Sequence, residues 1–166
     1  MKRFALPLLF AAMALTACEA KKDPAEPAPK PSSAAPDAKP GLVATDGMLV
    51  LPAVKGNPAA AYFNLYNSGD KAATLAAVSI EGAEKAEMHE TKGGAMGPVA
   101  SVEVKPGETV KFERGGKHVM LFGLTDKVTA GGSAELTLTF ADGDKLSAPL
   151  MVETIADAAA DHGAEH

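Results

Sequence analysis

The chain contains a single cysteine in 166 residues. With only Cys18 available, no disulfide can form within the chain. If Cys18 is lipidated, as the residues before it suggest, the exported protein also keeps no free thiol. Thiol redox catalysis is then excluded, and so is a type 1 blue copper centre, which needs a thiolate ligand.

Basic residues are also scarce: 16 Lys and Arg stand against 21 Asp and Glu, which gives a formal net charge of −5. The sequence has no basic stripe of the kind that binds nucleic acid. It has no Ser-His-acid or paired-carboxylate arrangement typical of a hydrolase, and no carboxylate cluster that favours calcium or magnesium. We therefore expect a protein that is not an enzyme and has no nucleic-acid partner.

The N-terminus has the pattern of a bacterial export signal. A basic start, Met1-Lys2-Arg3, precedes the apolar run Phe4–Leu15, which is too short to remain in a bilayer as a spanning helix. The next residues, L-T-A-C, resemble a lipobox, so we interpret residues 1–17 as a lipoprotein signal peptide and Cys18 as the lipidation site. The predicted location is the bacterial periplasm, with the protein anchored to a membrane by its N-terminal lipid. An ordinary signal peptide with an incidental cysteine is the alternative.

Residues 18–40 are rich in proline and alanine and show no apolar periodicity. Such a segment is expected to be extended, at about 3 Å per residue, or roughly 60–70 Å in all. It would serve as a disordered tether between a lipid at Cys18 and the rest of the protein. Disorder without that purpose is an open alternative.

From residue 41 to residue 154, short β-like runs alternate with turn signals such as Pro106-Gly107 and Gly131-Gly132. This spacing predicts an all-β, single-domain sandwich or barrel with antiparallel strands. The predicted strands are Met48–Val54, Ala60–Asn67, Thr74–Ile80, Lys85–Thr91, Ala100–Val104, Thr109–Phe112, His118–Phe122, Ala134–Phe140 and Leu146–Thr154.

Two histidines and two methionines in this domain are candidate metal ligands. His118 and Met120 are two residues apart, so their side chains leave a strand on the same face. Met96 is predicted in a glycine-rich loop that follows His89. Two imidazoles and two thioethers form a soft ligand set that favours Cu(I) over zinc. The alternative is that the methionines fill the core and the histidines are solvated near turns.

The spacing Met96-x21-His118-x-Met120, with His89 before it, resembles the periplasmic copper chaperones known as PCuAC, whose signature is H-x10-M-x21-H-x-M. The similarity extends from Gly47 to Val152 and includes the frame P-G-E-T-V-x-F-x-x-G-G-K-H-V-M-L-F-G-L. The resemblance implies a cupredoxin-like Greek-key β-sandwich over residues 41–154. It also implies Cu(I) as cofactor, with His89, Met96, His118 and Met120 as ligands. One departure is a spacing of six residues, instead of ten, between His89 and Met96.

By the same resemblance, the protein receives copper and delivers it to the binuclear copper site in subunit II of a respiratory oxidase. The expected partners are that oxidase subunit and a thiol-based copper-insertion protein, and the expected state is a monomer. Two other functions fit the sequence. One is copper buffering or resistance without a delivery partner, and the other is a structural envelope lipoprotein with an incidental H-x-M.

Residues 155–166 are predicted to form a flexible acidic tail. His162 and His166 lie four residues apart, but Gly163 between them disfavours the helical turn that would bring them together. Some PCuAC proteins carry His-rich extensions that bind Cu(II). His162 and His166 are therefore a candidate second, weak metal site.

We expect Cys18→Ala to release the protein into the soluble fraction without unfolding the domain, because the lipid would be the only membrane anchor. Fractionation of cells that express the variant checks this. Unchanged membrane retention would contradict the lipoprotein interpretation.

Overall fold

The computed structural model describes residues 39–161, which contain ten strands and one short helix. None of the helices in that range is long and apolar enough to span a bilayer. The signal peptide, Cys18, most of the tether, His162 and His166 lie outside the described residues. The elements are β1 Leu42–Val50, β2 Ala59–Asn67, β3 Ala73–Ile80, β4 Lys85–Lys92, β5 Ala95–Pro98, β6 Val102–Val104, β7 Thr109–Phe112, β8 Lys117–Phe122, β9 Ser133–Phe140, β10 Lys145–Glu153 and α1 Ile155–Asp161.

Alternating apolar residues place one face of most strands in a common core. Along β2 the residues Ala59, Ala61, Phe63 and Leu65 are buried, and those between them are partly exposed. Phe63 stacks on Phe112 of β7 with ring centroids 4.3 Å apart. Every strand except β5 contributes to this core. The strand β5 is therefore held to the sheet without a buried side chain of its own.

The strands form one sheet in the order β5-β4-β8-β7-β2-β1-β10-β9-β3-β6. The β1–β10 and β7–β8 pairs are parallel, and the remaining pairs are antiparallel. Strands β3 and β4 follow each other in the chain but lie near opposite ends of this order. Leu75 of β3 and Met88 of β4 nevertheless share the core, so the sheet curls over on itself. The prediction of an all-β, cupredoxin-like single domain is confirmed.

Two strands differ most from the prediction, each for a physical reason. The strand β1 is Leu42–Val50, not Met48–Val54 as predicted. Its first half was not predicted because a bulge between Thr45 and Met48 interrupts the alternation. Asp46 in that bulge has a φ of 54°. The strand β5, Ala95–Pro98, was not predicted, since Gly97 and Pro98 both disfavour strands. Met96 therefore lies on a strand and not in a loop.

The prediction of a flexible tail from residue 155 is wrong for its first part, because Ile155–Asp161 is helical. Thr154 caps this helix: its Oγ1 accepts a hydrogen bond from the Asp157 backbone N–H at 3.2 Å and donates one to Asp157 Oδ2 at 2.6 Å. This reciprocal arrangement resembles a capping box. Ala158 is buried, which attaches the helix to the sheet.

The last residues of the predicted tether are attached to the domain. Lys39 pairs with Asp142 and with Asp144, the latter at 2.8 Å, and its Nζ lies 5.3 Å above the Phe140 ring. Its side chain is only 11% exposed. Burial acts to lower the pKa of Lys39, but the hydrogen bonds and charges of the two carboxylates outweigh it and raise that pKa.

We expect Asp142→Asn to lower the stability of the domain at neutral pH and to have little effect in strong acid. The hydrogen bond from Lys39 lowers the pKa of Asp142 below its ordinary value of 3.8 in the folded state. The pair therefore stabilises the fold above that pH, and this contribution disappears as the pH falls through the folded-state pKa. Urea midpoints of the two proteins, measured against pH, should converge in acid.

Asp126→Asn is the matched control. Its carboxylate pairs with Lys55, but both side chains are highly exposed, so solvent screens the interaction. Its urea midpoint should stay close to that of the unmodified protein. An equal loss of stability in both variants would contradict a specific role for Lys39.

Candidate metal centre

The register between β4 and β8 brings the two candidate histidines together. His89 is directly opposite His118, and the next pair along, Met88 and Val119, is buried in the core. The imidazoles therefore lie on the outer face of the sheet, and their ring centroids are 6.1 Å apart. Met120 shares this face because it is two residues beyond His118.

Met96, from the hairpin formed by β4 and β5, contacts His118. Met96 on β5 is the cross-strand partner of Thr91, which lies on the same face of β4 as His89. The Met96 Sδ is 3.2 Å from the His118 Nε2. His118 is only 7% exposed, whereas Met96 is 56% exposed. One ligand candidate is thus buried beneath another that remains open to solvent.

The hydrogen bond at the other ring nitrogen orients His118. Its Nδ1 lies 3.0 Å from the Gly116 carbonyl oxygen, which can only accept. The Nδ1 must therefore carry the proton and donate it. The Nε2 then has a free lone pair, directed at the Met96 sulfur. This is the tautomer in which Nε2 can bind a metal ion.

His89 is oriented differently. Its Nε2 lies 3.5 Å from Glu87 Oε2, at the limit of a hydrogen bond. Its Nδ1 is buried and has no hydrogen-bond partner among the described residues. A buried imidazole nitrogen without a partner is costly unless a ligand occupies it. With the Nε2 proton facing Glu87, the Nδ1 lone pair is available to a metal ion, which is the usual carboxylate–histidine arrangement around metals.

A two-residue turn explains how the short spacing between His89 and Met96 still forms a site. Lys92 and Ala95 are paired, with only Gly93 and Gly94 between them. Their φ values are 60° and 84°, as the favoured two-residue hairpin turns require. The turn fixes the register that returns Met96 towards His118. The missing residues are therefore accommodated by a tight hairpin.

Met120 occupies the flank of the site. Its cross-strand neighbours are Glu87 on β4 and Ala60 on β2. The structure thus brings His89, His118 and Met96 close together, with Met120 beside them on the same face. Within residues 39–161, no three His, Cys, Asp or Glu side chains are grouped as a metal site. Met96 and Met120 add two thioether sulfurs to the two imidazoles on this face.

Two ion pairs lie near the histidines, one on their face of the sheet and one on the opposite face, and sequence reasoning missed both. Glu87 pairs with Lys85 at 2.7 Å, and Glu90 pairs with Lys117 at 2.7 Å. The hydrogen bond from each lysine is the main cause that lowers the pKa of its glutamate. The alternation along β4 could have indicated Glu87, because it is two residues from His89 and shares its face.

We expect Gly94→Val to displace Met96 and to destabilise the hairpin by about 1–2 kcal/mol, because a β-branched residue is strained at positive φ. Hydrogen exchange of the β4–β5 amides should become faster, while β9 amides stay protected. The control is Gly97→Ala, since Gly97 is in the same hairpin but without positive φ, and a Cβ there meets no atom within 4 Å. Equal effects of both substitutions would contradict the importance of the turn.

Comparisons with known proteins agree with this architecture. The solved copper-bound PCuAC domain from PmoF2 has a TM-score of 0.59 and 22% identity, covering 69% of this chain and 93% of that domain. The solution structure of CuI-DR1885 from Deinococcus radiodurans has a TM-score of 0.53 and 26% identity, covering 72% of this chain and 85% of that one. The domain therefore has the fold of PCuAC domains.

Sequence comparison points to a lipoprotein family. The protein Lxx21020 of Leifsonia xyli subsp. xyli, named as a lipoprotein, is 32% identical over 89 residues. The match covers 51% of this chain and 54% of that relative, so the chain spans about half the length of the relative it matches. A sequence profile of the LpqE-like lipoproteins matches residues 42–152. Because that match covers the domain from the start of β1 almost to the end of β10, the chain belongs to the LpqE-like family.

Proposed function

We propose that the protein binds Cu(I) on the outer face of its sheet and transfers it to another protein, with His89, Met96, His118 and Met120 as ligands. The observation that carries this proposal is the 3.2 Å approach of the His118 Nε2 to the Met96 Sδ. A nitrogen lone pair and a thioether sulfur directed at each other are two soft donors already gathered around one point.

The donor set favours Cu(I) over other metals. Thioethers are soft and uncharged, whereas magnesium and calcium require oxygen donors and Cu(II) prefers harder ligands in tetragonal geometry. Thioethers also do not form disulfides, so they keep their affinity in an oxidising compartment. The unpartnered Nδ1 of His89 supports the same assignment, since it supplies a second neutral nitrogen.

The relatives support copper as the cargo. Two solved structures with this fold are described as copper-bound or Cu(I)-bound, and the second shares 26% of its aligned sequence with this chain. The family name supports an envelope lipoprotein. We propose that the protein is in the periplasm, anchored by a lipid at Cys18.

The exposure of the ligands suits transfer. Met96 is accessible on an edge strand, so a partner's ligand can displace it before reaching the buried His118. The recipient that we propose is the binuclear copper site in subunit II of a respiratory oxidase, with a thiol-based insertion protein as a second partner. Copper buffering in the envelope is the competing function, because the same ligands would serve it.

We expect Met96→Leu, Met120→Leu and His118→Ala each to weaken Cu(I) binding. The loss should be at least as large as the roughly 10–100-fold that removal of an outer-shell partner costs. Competition titrations with a Cu(I) chelator measure it. The loaded protein should be colourless, and its affinity should fall in acid because protons compete for the imidazoles.

Met88→Leu is the matched control, since it removes a thioether of the same strand region from the core side of the sheet. It should leave Cu(I) affinity unchanged. Equal affinities for all three leucine variants would contradict the ligand assignment.

An experiment in cells distinguishes copper delivery from copper buffering. A strain that carries His118→Ala should lose oxidase activity at low copper if the protein delivers the metal. Normal oxidase activity with sensitivity to excess copper would instead favour buffering.

A further inference from the structure

The methionines of the described residues are divided unequally between the two faces of the sheet. Five methionines lie within residues 39–161, and only Met88 is in the core. Met96 and Met120 belong to the candidate metal centre. The remaining two, Met48 and Met151, are on the outer face and take no part in the function proposed above.

Met48 and Met151 are direct neighbours. They are Cα partners in the parallel pairing of β1 with β10. The next pair, Leu49 with Val152, is buried in the core, so Met48 and Met151 share the opposite face. Met151 is 55% exposed, which is not the position of a methionine that fills a core.

The pair lies where β1 and β10 separate. The two strands are paired only from Met48 to Val50, and the bulge between Thr45 and Met48 of β1 comes directly before this pairing. A cavity of about 440 Å³ opens there, and Met48 and Met151 both line it. Gly47 permits the close approach at the fork, since a Cβ there would lie 2.4 Å from the Pro149 carbonyl oxygen.

A glutamate with an unpartnered carboxylate oxygen is among the residues that line the same cavity. Glu153 is two residues beyond Met151 on the same face, and its Oε2 is buried without a hydrogen-bond partner among the described residues. A second carboxylate in the lining, Asp46, is already engaged by Asn64 Nδ2 at 2.6 Å and Thr45 Oγ1 at 3.0 Å. Glu153 is therefore the carboxylate that still needs a positive partner.

We propose that Met48, Met151 and Glu153 form a second site for a soft monovalent metal ion, Cu(I) or Ag(I). The two thioethers supply the soft donors, and the Glu153 carboxylate balances the charge of the ion. The site has no imidazole, so it binds more weakly than the first. It lies on the same face as Met120, with β2 between them, because Met120 pairs with Ala60 and Met48 with Tyr62.

The test uses the full chain with Cys18→Ser, His162→Ala and His166→Ala, which removes the cysteine and the two histidines outside residues 39–161, while Met1 and Met13 are followed by their own signals. Methionine methyl groups labelled with carbon-13 report each thioether separately by NMR. Ag(I) is the probe because it does not change oxidation state. We expect the Met96 and Met120 signals to shift first, and the Met48 and Met151 signals to shift together as more Ag(I) is added.

Two variants isolate the second site. Met151→Leu keeps the volume of the side chain and should abolish the shift at Met48, lowering the bound Ag(I) by one equivalent. Glu153→Gln should weaken the same step while leaving the Met96 shift unchanged. Unshifted Met48 and Met151 signals at excess Ag(I) would overturn the proposal, and so would an unchanged Met48 shift in Met151→Leu.

The result does not depend on the first site. In a His118→Ala background, the Met48 and Met151 shifts should persist even though the Met96 shift is weakened. In the chain that keeps His118, unshifted Met96 and Met120 signals with shifted Met48 and Met151 signals would refute the proposed function alone. The reverse pattern would refute the second site alone.

Discussion

The antiparallel register between β4 and β8 is the constraint on which the candidate metal centre depends. It pairs Met88 with Val119 towards the core and His89 with His118 towards the outside. A slip of one residue would exchange these faces, placing an imidazole in the apolar core and moving apolar side chains to the outer face. Core packing of Met88 and Val119 therefore fixes the positions of His89 and His118 on the two strands, and no other interaction is needed to place them opposite each other.

The features that depend on local pattern were predictable from the sequence. Strands such as β2 and β9 follow from alternation, and the shared face of His118 and Met120 follows from their spacing. The strand β5 was not predicted, because it contains Gly97 and Pro98, which are rare in strands. The helix α1 was not predicted either, although Thr154 and Asp157 form a recognisable cap. The pairings of His89 with His118 and of Met48 with Met151 were out of reach, since they depend on which distant strands become neighbours.

Methionines on the two faces of the sheet have different roles. Met88 is inside, where its flexible thioether fills space in the core. Met48, Met96, Met120 and Met151 are on the outer face, where the sulfur atoms can reach solvent or a metal ion. Whether a methionine lies in the core or on the outer face depends on its position in the alternation along its strand. The number of methionines in the sequence therefore does not show how many could bind a metal ion.

The stability of the β4–β5 hairpin, which carries Met96, affects how tightly the site can bind a metal ion. The strand β5 is at the edge of the sheet and buries no side chain in the core, so the Gly93–Gly94 turn and its pairing with β4 hold it in place. A metal ion shared by Met96 and His118 would bind only the closed hairpin. The fraction of closed hairpin then enters the apparent dissociation constant, and the ion in turn stabilises closure more strongly as its concentration rises above that constant. The turn sequence would thus be a thermodynamic means of adjusting how firmly the ion is held, without any change in the ligands.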